Sequence, residues 1–278
     1  MLSKIFKYES KSMSRVLLPL YLALLGSTLI TGILIRVNDI RLYAEDNAAY
    51  YFSTAGRLLS LLQTLFVVAF ALLIAGLGIA TIIMIINRFN KGCLGDEGYL
   101  TFTLPVGIDA QLWGRLLTAA LWIFLSVAAG VLSIVLLVGL SNGDFSFLQE
   151  MFQGLQRALE QEGVARILAK VSIWCVLELF AIPLLVYCCL SLGQLIMPKH
   201  RIVGAFVVYF AQNLISQCIT IFLGVFSSRD EYVLDYLIDE NAGIIDSFFT
   251  FALISSLLWI CVYYFVTRYV LSKKLNLE

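Results

Sequence analysis

The stretch LLSLLQTLFVVAFALLIAGLGIATIIMII, residues 58–86, decides the fold, because it runs its whole length without an Asp, Glu, Lys or Arg. A helix needs about 20 mainly apolar residues to cross a hydrocarbon core of ~30 Å. In lipid each unpaired backbone N–H or C=O costs several kcal/mol, so a run of this kind must be helical. A membrane barrel would instead show strands of ~10 residues with alternating hydropathy. The run is long enough to tilt, or to continue as helix beyond the membrane.

Five more apolar runs flank it, at 16–35, 117–140, 171–195, 203–226 and 248–270. The expected architecture is an all-α polytopic membrane protein, one transmembrane domain over residues 1–278 with six spanning helices. Composition agrees. The 278 residues are 60% hydrophobic and 14% charged, with a mean hydropathy of +0.91. Soluble domains are about 45–50% apolar and about 25% charged. The net formal charge is zero, so nothing points to a nucleic-acid partner.

Six spans put both termini on one side, and basic residues choose the side. With the termini inside, 12 Lys and Arg lie inside and 7 outside. Acidic residues divide as five inside and thirteen outside, with Glu178 inside a span. The expected topology is N-in and C-in. Residues 1–14 place Leu2, Ile5, Phe6 and Met13 apart from Lys4, Lys7 and Lys11. This suits a short helix lying on the anionic cytosolic leaflet; the other reading is a plain positive flank of the first span. The first apolar run is too long for a signal peptide and lacks a convincing small-x-small cleavage site, so it is read as a retained helix.

Two loops on the opposite side are expected to be structured. Apolar residues at Leu148, Met151, Phe152, Leu155 and Leu159 form one helical stripe, the mark of an amphipathic helix. The acidic segment 227–246, with Asp230, Glu231, Asp235, Asp239 and Glu240 among Tyr232, Leu234 and Tyr236, reads as a short helical cap.

The six cysteines carry no CxxC, and His200 is the only histidine. No metal site is expected; free cysteines are small apolar residues suited to packing. No GxxxxGK[ST] loop, HExxH or GxSxG occurs. The chain is therefore not expected to be an enzyme by itself, and no cofactor is expected on it.

The connection 87–116 is the longest cytosolic one and carries GDEGYLTFTLPV at 95–106. Tyr99, Leu100, Phe102 and Leu104 are a dense apolar set for a cytosolic loop, and such a set needs cover. Asp96 or Glu97 can cap a short helix, and Pro105 ends it. On these grounds two readings stand: a transverse helix wedged into another protein, or an interfacial loop with its aromatics dipped into the bilayer.

The segment Glu97-Gly98-Tyr99-Leu100, then Leu104-Pro105-Val106, then Gly114-Arg115-Leu116-Leu117, resembles the first cytosolic loop of type-2 ABC exporter permeases. That family reads roughly E-G-[TY]-L…L-P-[VI]-[ST]-R…G-K-[LI] between spans two and three. The opening Lys4-Ile5-Phe6-Lys7-Tyr8-Glu9 is similar to small permeases of this family from Gram-positive bacteria. Two departures stand out: Gly107-Ile108 replaces the Ser/Thr-Arg pair, and Arg115 replaces the Lys.

The resemblance implies a permease in the cell membrane, driven by a separate cytosolic ATPase that holds ATP and Mg. Asp96, Glu97, Gly98, Tyr99, Leu100, Phe102, Leu104 and Pro105 would form the coupling helix that docks on that ATPase. A second permease chain, identical or paralogous, would complete the complex. Export of a hydrophobic or amphipathic substrate, such as a peptide antibiotic, a drug or a lipid, follows from the resemblance.

Polar residues inside spans are the other lead. Glu178 is the one ionisable residue deep in a span, and intramembrane charges are functional by default. Asn213, Ser216 and Gln217 share a helical face, with Gln212 beside them. Two readings stand here also: a substrate path or gate, or interhelical hydrogen bonds worth about 1 kcal/mol each. Pro183 is expected to kink span four. Gly76, Gly78 and the Ala128–Gly130 run supply small-residue spacing for close helix contact. Rival functions are a self-contained ion-coupled transporter or channel using Glu178, and a non-transporting membrane scaffold.

Overall fold

The computed structural model describes residues 2–44, 54–94, 107–227 and 241–273. Within them lie seven α-helices and no strand. They are α1 (Leu2–Ala44), α2 (Thr54–Phe89), α3 (Ile108–Asn142), α4 (Ser146–Glu160), α5 (Glu162–Ile196), α6 (Arg201–Ser227) and α7 (Asn241–Lys273). A π-helical turn, Asn90–Leu94, closes α2, and a 3-10 turn, Pro198–His200, precedes α6. All except α4 are long and apolar enough to cross a membrane. The chain is an all-α, multi-pass membrane protein.

Each of the six apolar runs lies inside one of these helices, and the helices overrun the runs. At ~1.5 Å per residue, the 36 residues of α2 exceed a ~30 Å core. The N-terminal residues expected to form a short separate helix are helical, but they continue into the first span without a break. No glycine interrupts them, and Pro19 sits inside the helix. Apolar side chains face outward along the spans: Leu72 is 68% exposed and Phe210 64%. In water that would be a liability; in a bilayer, lipid covers it.

The chain divides into two units. The first comprises Met1–Phe6, Ile85–Ala120 and Arg157–Glu278; the second comprises Lys7–Met84 and Leu121–Gln156. In the second unit, Ser126 is the polar centre, 2.8 Å from the Tyr21 hydroxyl and 2.9 Å from the Thr81 hydroxyl. This satisfies three hydroxyls at once, and it ties α1, α2 and α3 together. At the far end of α3, Gly143 adopts φ +78° and its N–H donates to the Gly139 carbonyl at 3.0 Å. A left-handed residue closing a helix is the usual place for glycine. The Arg36 guanidinium fills the space a Cβ would need there and donates to the Asn142 carbonyl at 2.7 Å.

In the first unit, α5 is central and packs along both α6 and α7. The α5–α6 crossing is backbone on backbone. A Cβ on Gly204 would lie 2.6 Å from the Gly193 carbonyl oxygen, and one on Gly193 would overlap the Ala205 nitrogen. The turn between the two helices is tight: the Met197 N–H donates to the Gly193 carbonyl at 2.9 Å, and the His200 N–H to that of Met197 at 3.1 Å. By contrast, Gly76, Gly78 and Gly130 have nothing within 4 Å of an added Cβ. Among the described residues, these three glycines in spans two and three therefore mark no close backbone contact within the chain.

The helical stripe at 148–159 forms α4 as expected. The acidic segment expected as a cap lies mostly outside the described residues, which resume at Asn241.

Candidate functional site

Residues Asp96, Glu97, Gly98, Tyr99, Leu100, Phe102, Leu104 and Pro105, expected to form the coupling helix, lie outside the described residues. What is described is how the chain enters and leaves that segment. Both ends are firmly held within the first unit.

The entry is the π turn. A π turn and a helix end both leave carbonyls without their i+4 donors. Arg115, only 8% exposed, supplies donors from α3. One guanidinium nitrogen donates to the Arg88 carbonyl at 3.2 Å and the other to the Gly92 carbonyl at 3.0 Å. The negative end of the α2 dipole faces the same cation. A side chain at 92 would displace the guanidinium, whose atoms occupy the space where a Cβ would sit. Arg201, at the start of α6, donates to the Leu94 carbonyl.

Behind Arg115, Tyr187 on α5 donates its hydroxyl to the Arg115 carbonyl at 3.3 Å. Its ring stacks on Phe89 at 4.2 Å between centroids, with 13° between planes. Gly92, Cys93 and Leu94 are all buried. An arginine at position 115 has a geometric sense. A planar guanidinium reaches two carbonyls at once; an ammonium is a point donor.

The exit is the start of α3. The Gly107 carbonyl accepts the N–H of Ala110 at 3.0 Å and of Gln111 at 3.3 Å, opening the helix. Asp109 sits in its first turn, where a carboxylate favours the helix dipole. It also binds α7: Arg268 engages both carboxylate oxygens at 2.9 Å, and the Tyr264 hydroxyl donates to it at 2.9 Å. Trp113 lies against Tyr264 at 5.9 Å. Beside the entry, Asn90, Pro198, Lys199, His200, Arg201, Ile202 and Val203 line an open cleft of about 550 Å³, rich in cationic and donor groups.

Toward the opposite end, Glu178 lies half-buried on α5. The Ser256 hydroxyl on α7 donates to it at 2.9 Å and accepts from the Trp174 indole N–H at 3.1 Å. Further along, Lys170 pairs with Asp246 at 2.6 Å and donates to the Thr250 hydroxyl at 2.7 Å. The seam is thus α5 on α7. The polar residues of the fifth span, Asn213, Ser216 and Gln217, are not joined to Glu178 by any hydrogen bond among those described. The Asn213 side chain donates to the Tyr209 carbonyl of its own helix at 3.0 Å. Ser216 is half-buried and Gln217 is exposed. Gln212 instead reaches α7, donating to the Tyr263 hydroxyl at 2.7 Å. The α5 helix continues through Pro183.

Among the described residues no group of His, Cys, Asp and Glu could hold a metal, and all six cysteines are free thiols. Fold and geometry define the class as a six-span helical membrane protein. Compared with family models, curated proteins and solved structures, the chain finds no match.

Sequence reading missed Tyr187, Arg201, Tyr264, Arg268 and Ser256. Arg201, Tyr264 and Arg268 are basic or aromatic residues near the ends of apolar runs, where membrane proteins commonly place them, while Tyr187 lies within its run. That position is a weak signal, because every span end carries such residues.

Proposed function

We propose that this chain is the transmembrane permease subunit of an ATP-driven exporter of the type-2 ABC class. A separate cytosolic ATPase would bind and hydrolyse ATP with Mg, and the 95–106 segment would dock on it. A second permease chain would face this one across the transport path, in the cell membrane. The substrate class is hydrophobic or amphipathic: a peptide antibiotic, a drug or a lipid.

One observation carries the reading beyond resemblance: the bracing of both ends of that segment. The entry is tied to α3, α5 and α6 through Arg115, Tyr187 and Arg201, and the exit to α7 through Asp109 and Arg268. A docking element is useful only if its displacement reaches the spans, and this bracing gives it routes to four of them. The first test is a mild-detergent pull-down with mass spectrometry. An ATPase with a phosphate-binding loop near one-to-one supports the proposal. Tyr99→Asp or Leu100→Asp is expected to release it; full retention by both variants would remove the docking role.

Glu178 favours a second reading, a self-contained ion-coupled transporter or channel. It is an ionisable side chain within a span, held by Ser256, and such groups mark ion pathways. Transport by the purified chain without ATP would support that reading. A stable complex with neither transport nor substrate-dependent ATPase activity would instead indicate a scaffold.

A further inference from the structure

Helix α4 contains no buried residue. Its Met151, Phe152, Leu155 and Leu159 are 56%, 65%, 42% and 51% exposed. At 100° per residue these side chains and Leu148 fall within one arc, and Gln149, Glu150, Gln153, Gln156, Arg157 and Glu160 occupy the other side. An apolar face this clean on a helix of ~22 Å needs cover.

What covers it follows from the tethers. Three residues separate α4 from the end of α3, and Gln161 alone separates it from α5. Both neighbours are membrane spans. At ~3.6 Å per residue, neither end of α4 can lie more than about 14 Å from the end of the neighbouring span helix. Its polar face carries Glu150, Arg157 and Glu160, a charge of −1, so attraction to anionic lipid does not hold it. Apolar burial does.

We propose that α4 lies in the headgroup layer of the leaflet opposite the termini, with Leu148, Met151, Phe152, Leu155 and Leu159 entering the acyl boundary of zwitterionic lipid. This is the geometry of an interfacial amphipathic helix. It holds whether or not the chain is a permease.

The test places a reporter tryptophan on each face of the full chain, Phe152→Trp and Gln156→Trp, in phosphatidylcholine vesicles. Wild-type emission is subtracted to remove the four native tryptophans. Lipid brominated high on its acyl chain is expected to quench at least half of the emission added at 152 and little of that at 156. Acrylamide is expected to quench in the reverse order, with at least a threefold difference. Equal response of the two positions to acrylamide would overturn the proposal, since it would put both faces in water. A tryptophan at 152 shielded from acrylamide and from brominated lipid alike would also overturn it, because protein would then be the cover. Leu155→Trp, expected to behave as Phe152→Trp, guards against a local fault in one variant.

Discussion

The Arg115 junction and the Glu178 seam both bring ionisable side chains into the first unit, and they satisfy them in opposite ways. Arg115 donates its hydrogen bonds to main-chain carbonyls, those of Arg88 and Gly92. Glu178 accepts a hydrogen bond from a side chain, Ser256, and Lys170 donates to the side chains of Asp246 and Thr250 as well as to the Asp246 carbonyl. A carbonyl cannot be mutated away, so the junction depends on its donors, Arg115 and Arg201, and on backbone register. The seam can be dissected from either partner. The junction is fitted to a single chain path; the seam is a set of replaceable contacts.

If that contrast holds, the largest effect should come from crowding the junction. Gly92→Val places carbon where the guanidinium lies. Overpacking costs typically 1–3 kcal/mol, and loss of hydrogen bonds to a charged group adds about 1.5–3 kcal/mol. The expected result is a much lower Tm in detergent, or no recoverable protein; a wild-type melt would show that the turn is not as tight as described.

Arg115→Gln should cost about 1.5–3 kcal/mol, since two carbonyls lose charged donors, and Arg115→Lys about half as much. Cys93, now 3% exposed, offers a second readout. Its thiol should react with a small maleimide faster in Arg115→Gln than in wild type. Equal rates would mean that the π turn does not need the guanidinium.

At the seam, a double-mutant cycle between Trp174→Phe and Ser256→Ala should return a coupling of about 0.6 kcal/mol, the size usual for hydrogen bonds between membrane helices. Additive effects would detach the indole from the hydroxyl. Asp109→Asn should cost less than about 1 kcal/mol and lose its effect in high salt, because the pair is half exposed and screened. The smallest effect belongs to Gly76→Ala and Gly130→Ala, within about 0.5 kcal/mol of wild type, since nothing lies within 4 Å. A large loss there would mean that a partner chain sits against those faces.

The spans were legible because the bilayer imposes a length and a composition that leave a local mark in each run. Helix α4 was legible because its period of 3.6 needs no knowledge of neighbours. The junction was not legible. Its acceptors are carbonyls, which every residue carries, and its donors come from positions as distant as Arg115 and Arg201. The same blindness explains Glu178. Polar residues lie both on α6, at Asn213 and Gln217, and on α7, at Ser256. Depth along a helix does not say which neighbour a side chain meets. Likewise Gly193 and Gly204 meet where Gly76 and Gly78 do not, although span two carries the more conspicuous glycine spacing.

The π turn at Asn90–Leu94 has an angular consequence. Such a turn holds one residue more than an α turn, and each helical residue carries the chain through about 100°. Rewinding it would swing the direction in which the chain departs after Leu94 by roughly that much. Arg115 and Arg201, gripping the carbonyls of Gly92 and Leu94, therefore act as a detent that holds the last turn of the second span in its wider register.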